Sequence, residues 1–374
     1  MATTAFSNHF RRELDVGQLA RLMLRDTPEA GEDHLSEAQR AWIRTDVRCS
    51  SCGVGGAQIV RATKSTGTRG GTRQAHFRFI GDDAMDAHHR FCEFHGADGQ
   101  ERQSESLVNF GSAKTIETRL IGRLVCKGIE QGIFDQTAIR GMRQWFFDLK
   151  AANRFTITID STAVDWLSAL LHHPIYPRWV FHPVQAQLPG FDWKQATNHA
   201  FTEQFWPLFD RMSGRRARNA ESRTKNLVAC YAGQEVFDPA ALKPSYELTL
   251  QLASFVGRNS GLDFSRSKPS EYRYKGAPPA LMALCALILF VSDWQLNTGI
   301  GKFAQIIAAP DPSDPLLGNV VGLNPFHDYA AWQMVVLAQE ISEQATGIRV
   351  YDAELARIEG ELREAYRAWT QSQS

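Results

Sequence analysis

The feature that most constrains this chain is a turn written twice. Cys49-Ser-Ser-Cys52-Gly53 is followed 39 residues later by Cys92-Glu-Phe-His95-Gly96. Each copy reads ligand, two spacers, ligand, glycine. A turn of this kind curls the backbone until both side chains reach one tetrahedral ion, and the glycine behind it tolerates the positive φ of so tight a turn. Three thiolates and an imidazole suit zinc, a tetrahedral, redox-silent ion. The expected ligands are therefore Cys49, Cys52, Cys92 and His95. Four protein ligands close the ion to water, which makes the expected Zn2+ structural. His76, His88 and His89 lie near enough in sequence to compete, and His88 or His89 paired with Cys92 is the alternative arrangement.

The surrounding stretch needs such an ion. Between Arg48 and Ala97 glycine is dense, helical periodicity vanishes, and Arg73 to Ile80 alternates as a strand. The other cysteines, Cys126, Cys230 and Cys285, stand alone in apolar or helical surroundings and read as core thiols. Met1 to Arg12 holds no apolar export signal, so the expected compartment is the cytoplasm, where clustered cysteines indicate metal rather than disulfides.

Over residues 47–96, the order Cys-x-x-Cys-Gly, then a strand with His76-Phe77, then a His and Cys cluster resembles the zinc-ribbon module that opens competence-protein CoiA-like sequences. Several bacterial nucleic-acid-processing or defence proteins share that module. A weaker similarity links the segment to the zinc-bearing subunit of type IV CRISPR complexes, which also pairs a zinc module with helices. The resemblance implies a bacterial nucleic-acid-processing or defence setting with other protein subunits as partners. The nuclease domain that usually follows in such families has no clear match in the rest of the chain, so no activity is carried over. Asp86-Ala-His88-His89 is a pair of the kind used by HNH nucleases, yet Cys92 follows too closely to leave room for their ββα arrangement.

Helical periodicity governs most of the remainder. Phe10, Leu14, Leu19, Leu22 and Met23 suggest one helical face over 7–25, and Ser36 with Gln39 forms a capping box ahead of Trp42, so a helical pair is expected to open the chain. Asp135 caps a helix carrying Ile139, Met142, Trp145, Phe146 and Leu149. Further helices are expected near 194–211, 220–234, 246–257, 278–308, 326–345 and 351–369. Ala280 to Val291 is too short to span a bilayer and reads as a buried helix, so no membrane partner is expected. Phe155 to Asp160 and Arg178 to Val184 have strand character. The expected fold is thus mainly α, with a small β-rich zinc-ribbon module and room for a short sheet near 155–184. The expected divisions are a helical segment over 1–46, the zinc module over 47–100 and an α-rich domain over 101–374, with a possible break near 185–195.

With 41 basic and 41 acidic residues, no global field draws the chain to nucleic acid. Attraction has to be local, and three basic stretches offer it. The first includes Lys64, Arg69 and Arg73, with no acid between Arg61 and Arg78; the second includes Arg215, Arg216 and Arg218. The third includes Arg266, Lys268, Arg273 and Lys275 with Phe264, Tyr272 and Tyr274 interleaved. Arginine forks pair phosphates and aromatic rings stack bases, whereas a solvated loop would use the same charge only for solubility. The expectation is a DNA- or RNA-binding protein, a non-catalytic subunit or adaptor. A metal-dependent nuclease built on Asp160, Asp192 and Lys194 is one alternative, and a protein-interaction scaffold is another.

Overall fold

Ten consecutive residues, Ala280 to Leu289, are all buried in the helix Pro279–Phe290. A helix apolar all round has to be enclosed on every side. In the computed structural model the neighbours of this one are Ile116–Glu130, Gln136–Ala152, Lys243–Asn259 and Leu296–Ala308. The structure describes residues 2, 4–24, 34–61, 63–64, 72–73, 75–81, 86–95, 106–109, 116–177, 179–212, 220–262, 268–272, 277–313, 321–344 and 350–373. The protein is mainly helical with a few small antiparallel sheets. No helix among the described residues is long and apolar enough to cross a membrane.

The chain divides into two units whose boundaries differ from those expected. One combines Met1–Asn153 with Ala241–His327, the other Arg154–Ala240 with Asp328–Ser374. The expected α-rich domain over 101–374 is thus shared between the two, because the buried helix Pro279–Phe290 gathers partners from before residue 153 and after residue 241.

In the first unit the expected helical pair forms, as Val16–Met23 and Glu37–Asp46, but a strand hairpin takes the place of its first turns. Thr4–Ser7 and Arg12–Asp15 form an antiparallel hairpin, and Val47–Arg48 adds a third strand beside Thr4–Ser7. The helix starts only at Val16, where Asp15 accepts the N–H of Gln18 and the Gln18 side chain returns to the Asp15 N–H. That capping box is the same device as Ser36 with Gln39, and it overrides the apolar period running back to Phe10. Arg143, 1% exposed on helix Gln136–Ala152, pairs with Glu13 of this sheet. The short sheet thus ties residues before 46 to the stretch that follows.

The second unit buries a core from helices Ser161–His172, Trp193–Gln204, Glu221–Tyr231 and Tyr329–Gln344, with Leu167, Phe201, Val228 and Val335 at its centre. Arg154–Thr156 is a strand, but its antiparallel partner is Glu235–Phe237. The expected strand over Arg178 to Val184 is not formed among its described residues. Pro183 lacks the N–H a strand ladder needs, and Pro183–Gln187 coils into a 3-10 turn instead.

Candidate metal centre

Strand Val47–Arg48 delivers the chain into Cys49. The N–H of Cys49 donates to Val54 O at 2.8 Å and the N–H of Gly53 to Cys49 O at 3.1 Å, closing the first knuckle. Gly53 has φ +72°, the left-handed value this turn requires. The chain leaves along Ala57–Val60 and returns on His76–Phe79, paired in antiparallel register from Ala57 with Phe79 to Val60 with His76. A bridge between Ile80 and Asp86 then aims the chain back, and Asp86 Oδ1 accepts the N–H of His88 at 2.9 Å.

Cys49, Cys52, His88 and Cys92 converge, with their ligand atoms all within 4.8 Å of one another. Cys49 Sγ lies 3.7 Å from Cys92 Sγ, and His88 Nδ1 lies 3.5 Å from Cys52 Sγ and 3.6 Å from Cys92 Sγ. Metal–sulfur bonds of about 2.3 Å and a metal–nitrogen bond of about 2.0–2.1 Å in a tetrahedron give edges of about 3.8 Å between sulfurs and about 3.5–3.6 Å from sulfur to nitrogen. The four side chains therefore stand at the spacing a single central ion would set. A disulfide needs sulfurs about 2.05 Å apart, and these cysteines are free. The group can hold a metal ion.

Each sulfur also receives the backbone N–H two residues on: Ser51 to Cys49 at 3.4 Å, Phe94 to Cys92 at 3.5 Å, and Val54 to Cys52. Amides aimed at sulfur favour the thiolate. Without a cation the three sulfurs cannot all ionise. Hydrogen bonds from Cys49 and Cys92 hold the Cys52 thiol far below its ordinary range. Burial pushes the Cys49 thiol up to about 12, and sharing protons with Cys49 and Cys52 pushes Cys92 higher still. A divalent cation removes that conflict, since metal binding takes all three as thiolates.

No local pattern in the sequence marks the support around the group. Glu93, its side chain fully buried, accepts a hydrogen bond from Ser51 Oγ at 2.5 Å and pairs with Lys150 of helix Gln136–Ala152. One carboxylate thus joins the two knuckles to the helical body. The rings of Phe79 and Phe94 pack on His88 with centroids 4.9 and 6.1 Å away.

Among the expected ligands, the three cysteines are brought together and His95 is not. His95 Nδ1 sits 3.6 Å from Asp86 Oδ2 instead, so the second knuckle is His88-x-x-x-Cys92 rather than a copy of the first. His89 is exposed, accepting the Phe91 N–H at Nδ1 and packing on Phe147, and His76 is buried in its strand outside the group. Of the lone thiols, Cys126 and Cys285 are buried as expected, but Cys230 is exposed on helix Glu221–Tyr231.

The alternative catalytic residues behave as helix ends. Asp160 accepts the N–H groups of Thr162 and Ala163, and the Thr162 hydroxyl, before those amides, holds its carboxyl below the usual range. Asp192 caps the next helix through the Gln195 N–H, and Lys194 is exposed. Neither carboxylate belongs to the ligand group found among the described residues. Of the basic residues, Lys64 and Arg73 lie in paired strands, with Thr63 opposite Arg73 and Lys64 opposite Thr72. Lys268 is exposed ahead of a 3-10 turn. Arg69, Arg215, Arg216, Arg218, Arg266, Arg273 and Lys275 lie outside the described residues.

Comparison of the chain with protein-family models, with curated proteins and with solved structures returns no match.

Proposed function

We propose that this is a zinc-stabilised nucleic-acid-binding protein in which the ion organises a basic β-arm, and that it acts as a non-catalytic subunit or adaptor. The observation that carries the reading is the arm itself. Strands Ala57–Val60 and His76–Phe79 leave the Cys and His group as an antiparallel pair, and Thr63–Lys64 with Thr72–Arg73 form a second antiparallel pair farther along the same two segments. Between Arg61 and Arg78 the sequence holds five cations and no acid, and Arg61 and Arg78 are exposed. A two-stranded ribbon fits the major groove of a duplex, and arginine forks pair its phosphates.

Zinc is favoured as the ion because three thiolates and an imidazole at tetrahedral spacing suit it, and four protein ligands leave no position for a reacting water. The metal's task is then to fold the turns rather than to cut. The adaptor role and the bacterial defence setting are supported by the resemblance of residues 47–96 alone.

Fluorescence anisotropy with labelled single- and double-stranded DNA and RNA, measured from low to high salt, tests the reading. Released counterions should make log affinity fall steeply with log salt, and Lys64→Ala, Arg73→Ala and Arg78→Ala should each flatten that slope by about one. Undetectable binding to every nucleic acid at low salt would leave a protein-interaction scaffold in its place. Cleavage in Mg2+ or Mn2+ that disappears in Asp192→Ala would restore the nuclease.

A further inference from the structure

The unit built from Arg154–Ala240 and Asp328–Ser374 carries a cleft of about 610 Å3. Its size is that of a small-ligand site, about 300–1,000 Å3. One side is a single face of helix Trp193–Gln204: Asp192 at the N-cap, then Gln195, Ala196 and His199 at spacings of three, one and three. Ala196 keeps the middle of that face shallow, so the polar groups on either side of it are open to an incoming molecule. Aromatic lining comes from Trp179, whose ring centroid is 5.2 Å from His199, and from Phe191.

The polar groups have a definite sense. His199 Nδ1 is 3.1 Å from the carbonyl oxygen of Pro177, which only accepts, so Nδ1 donates and the tautomer with this contact leaves Nε2 as an acceptor. Asp192 commits Oδ1 to the helix cap, and its other carboxylate oxygen is an acceptor. Gln195 adds an amide that both donates and accepts. Flat aromatic lining beside an edge of acceptors and one amide matches a planar nitrogen heterocycle whose edge carries adjacent N–H groups and a carbonyl.

We propose that this cleft stacks an unpaired nucleobase against Trp179 and Phe191 and selects guanine, whose N1–H and 2-amino group face Asp192 while its carbonyl faces Gln195. The inference deepens the nucleic-acid reading and assigns a second, base-reading contact to residues of the other unit. Adenine, cytosine and uracil lack that pair of neighbouring donors beside a carbonyl. A guanidinium offers donors alone and leaves the Gln195 N–H unmatched.

Saturation-transfer NMR on the full chain with the four neutral nucleosides, and with N-acetyl-arginine amide as a competitor, tests it. Guanosine should give the strongest transfer to its H8 proton. Asp192→Asn, which keeps a helix cap, should bring guanosine down to the adenosine level. Trp179→Leu with Phe191→Leu should weaken all four nucleosides by about tenfold. Absence of nucleoside signal at millimolar concentration, guanosine transfer that persists in the double variant, or displacement of guanosine by the arginine amide would each overturn the proposal. Because nucleosides carry no phosphate, their binding is independent of the salt slope that tests the arm, so either idea can fail alone.

Discussion

The hydroxyl of Ser51, inside the first knuckle, donates to Glu93, which lies beside the last cysteine of the second. The other oxygen of Glu93 pairs with Lys150. A carboxylate with no solvent exposure, held by one hydroxyl and one ammonium, is costly to leave half-partnered. Lys150→Met should therefore destabilise the first unit by about 3–5 kcal/mol, because a charge stays buried without its counter-ion. Glu93→Gln keeps a partner for Ser51 and should cost less. Urea unfolding of the two variants gives the order, and a Lys150→Met loss below that of Glu93→Gln would refute this account of the clamp.

His88 and His95 make opposite predictions at a single position of the tetrahedron. His88→Ala should lower bound zinc well below one ion per chain after dialysis against a weak chelator, whereas His95→Ala should retain it. Elemental analysis reads the stoichiometry, and cobalt substitution reads the sulfur ligands through thiolate-to-metal absorption. Equal retention in both variants would remove His88 from the ligand set.

How far the sequence anticipates this structure depends on whether the deciding interaction is local. Helix Gln136–Ala152 was legible because Asp135 caps it through Ala138 and its apolar residues recur at helical spacing. Helix Pro279–Phe290 was legible because an uncharged apolar run of that length has little choice but the core. Strand Arg154–Thr156 was legible, but its partner Glu235–Phe237 lies some eighty residues on and leaves no local mark. The fourth ligand is the alternative His88, and the sequence favours His95 for a different reason: the glycine after His95 imitates the first knuckle. The informative residue is Asp86, whose side chain takes the His88 N–H and so fixes the backbone at the start of the second knuckle.

His173 supplies a pH dependence in the second unit. Thr202 spends its hydroxyl proton on Asn198 O, so it accepts from His173 Nε2–H at 3.2 Å, and Nδ1 accepts from the Tyr351 hydroxyl at 2.7 Å. The buried ring is neutral, and burial lowers its pKa below the ordinary histidine value. In the unfolded chain that value is about 6.5. Below it the unfolded state takes up a proton that the folded state refuses, so stability falls as the pH drops, by at most about 1.4 kcal/mol per unit, until the lower folded pKa is passed. Denaturant titrations between pH 7.5 and 5 should show the wild type losing stability relative to His173→Phe. Parallel curves would mean that His173 titrates as it does in water.

Gly128, on helix Ile116–Glu130, sets helix propensity against packing. Alanine in place of an interior glycine should stabilise a helix by about 1 kcal/mol. Here the added Cβ would stand well inside van der Waals contact of Phe134 Cζ and Cε1, and the Phe134 ring is buried. An aromatic ring met end-on cannot yield by rotating, so it has to shift as a body. The expected net effect of Gly128→Ala is a loss of about 1–3 kcal/mol, the usual range for overpacking a filled site. Phe134→Leu shortens the obstructing group, so in that background Gly128→Ala should become neutral or stabilising. A double-mutant cycle by thermal unfolding isolates the coupling, and additive effects would show that the ring does not pack over Gly128 as described.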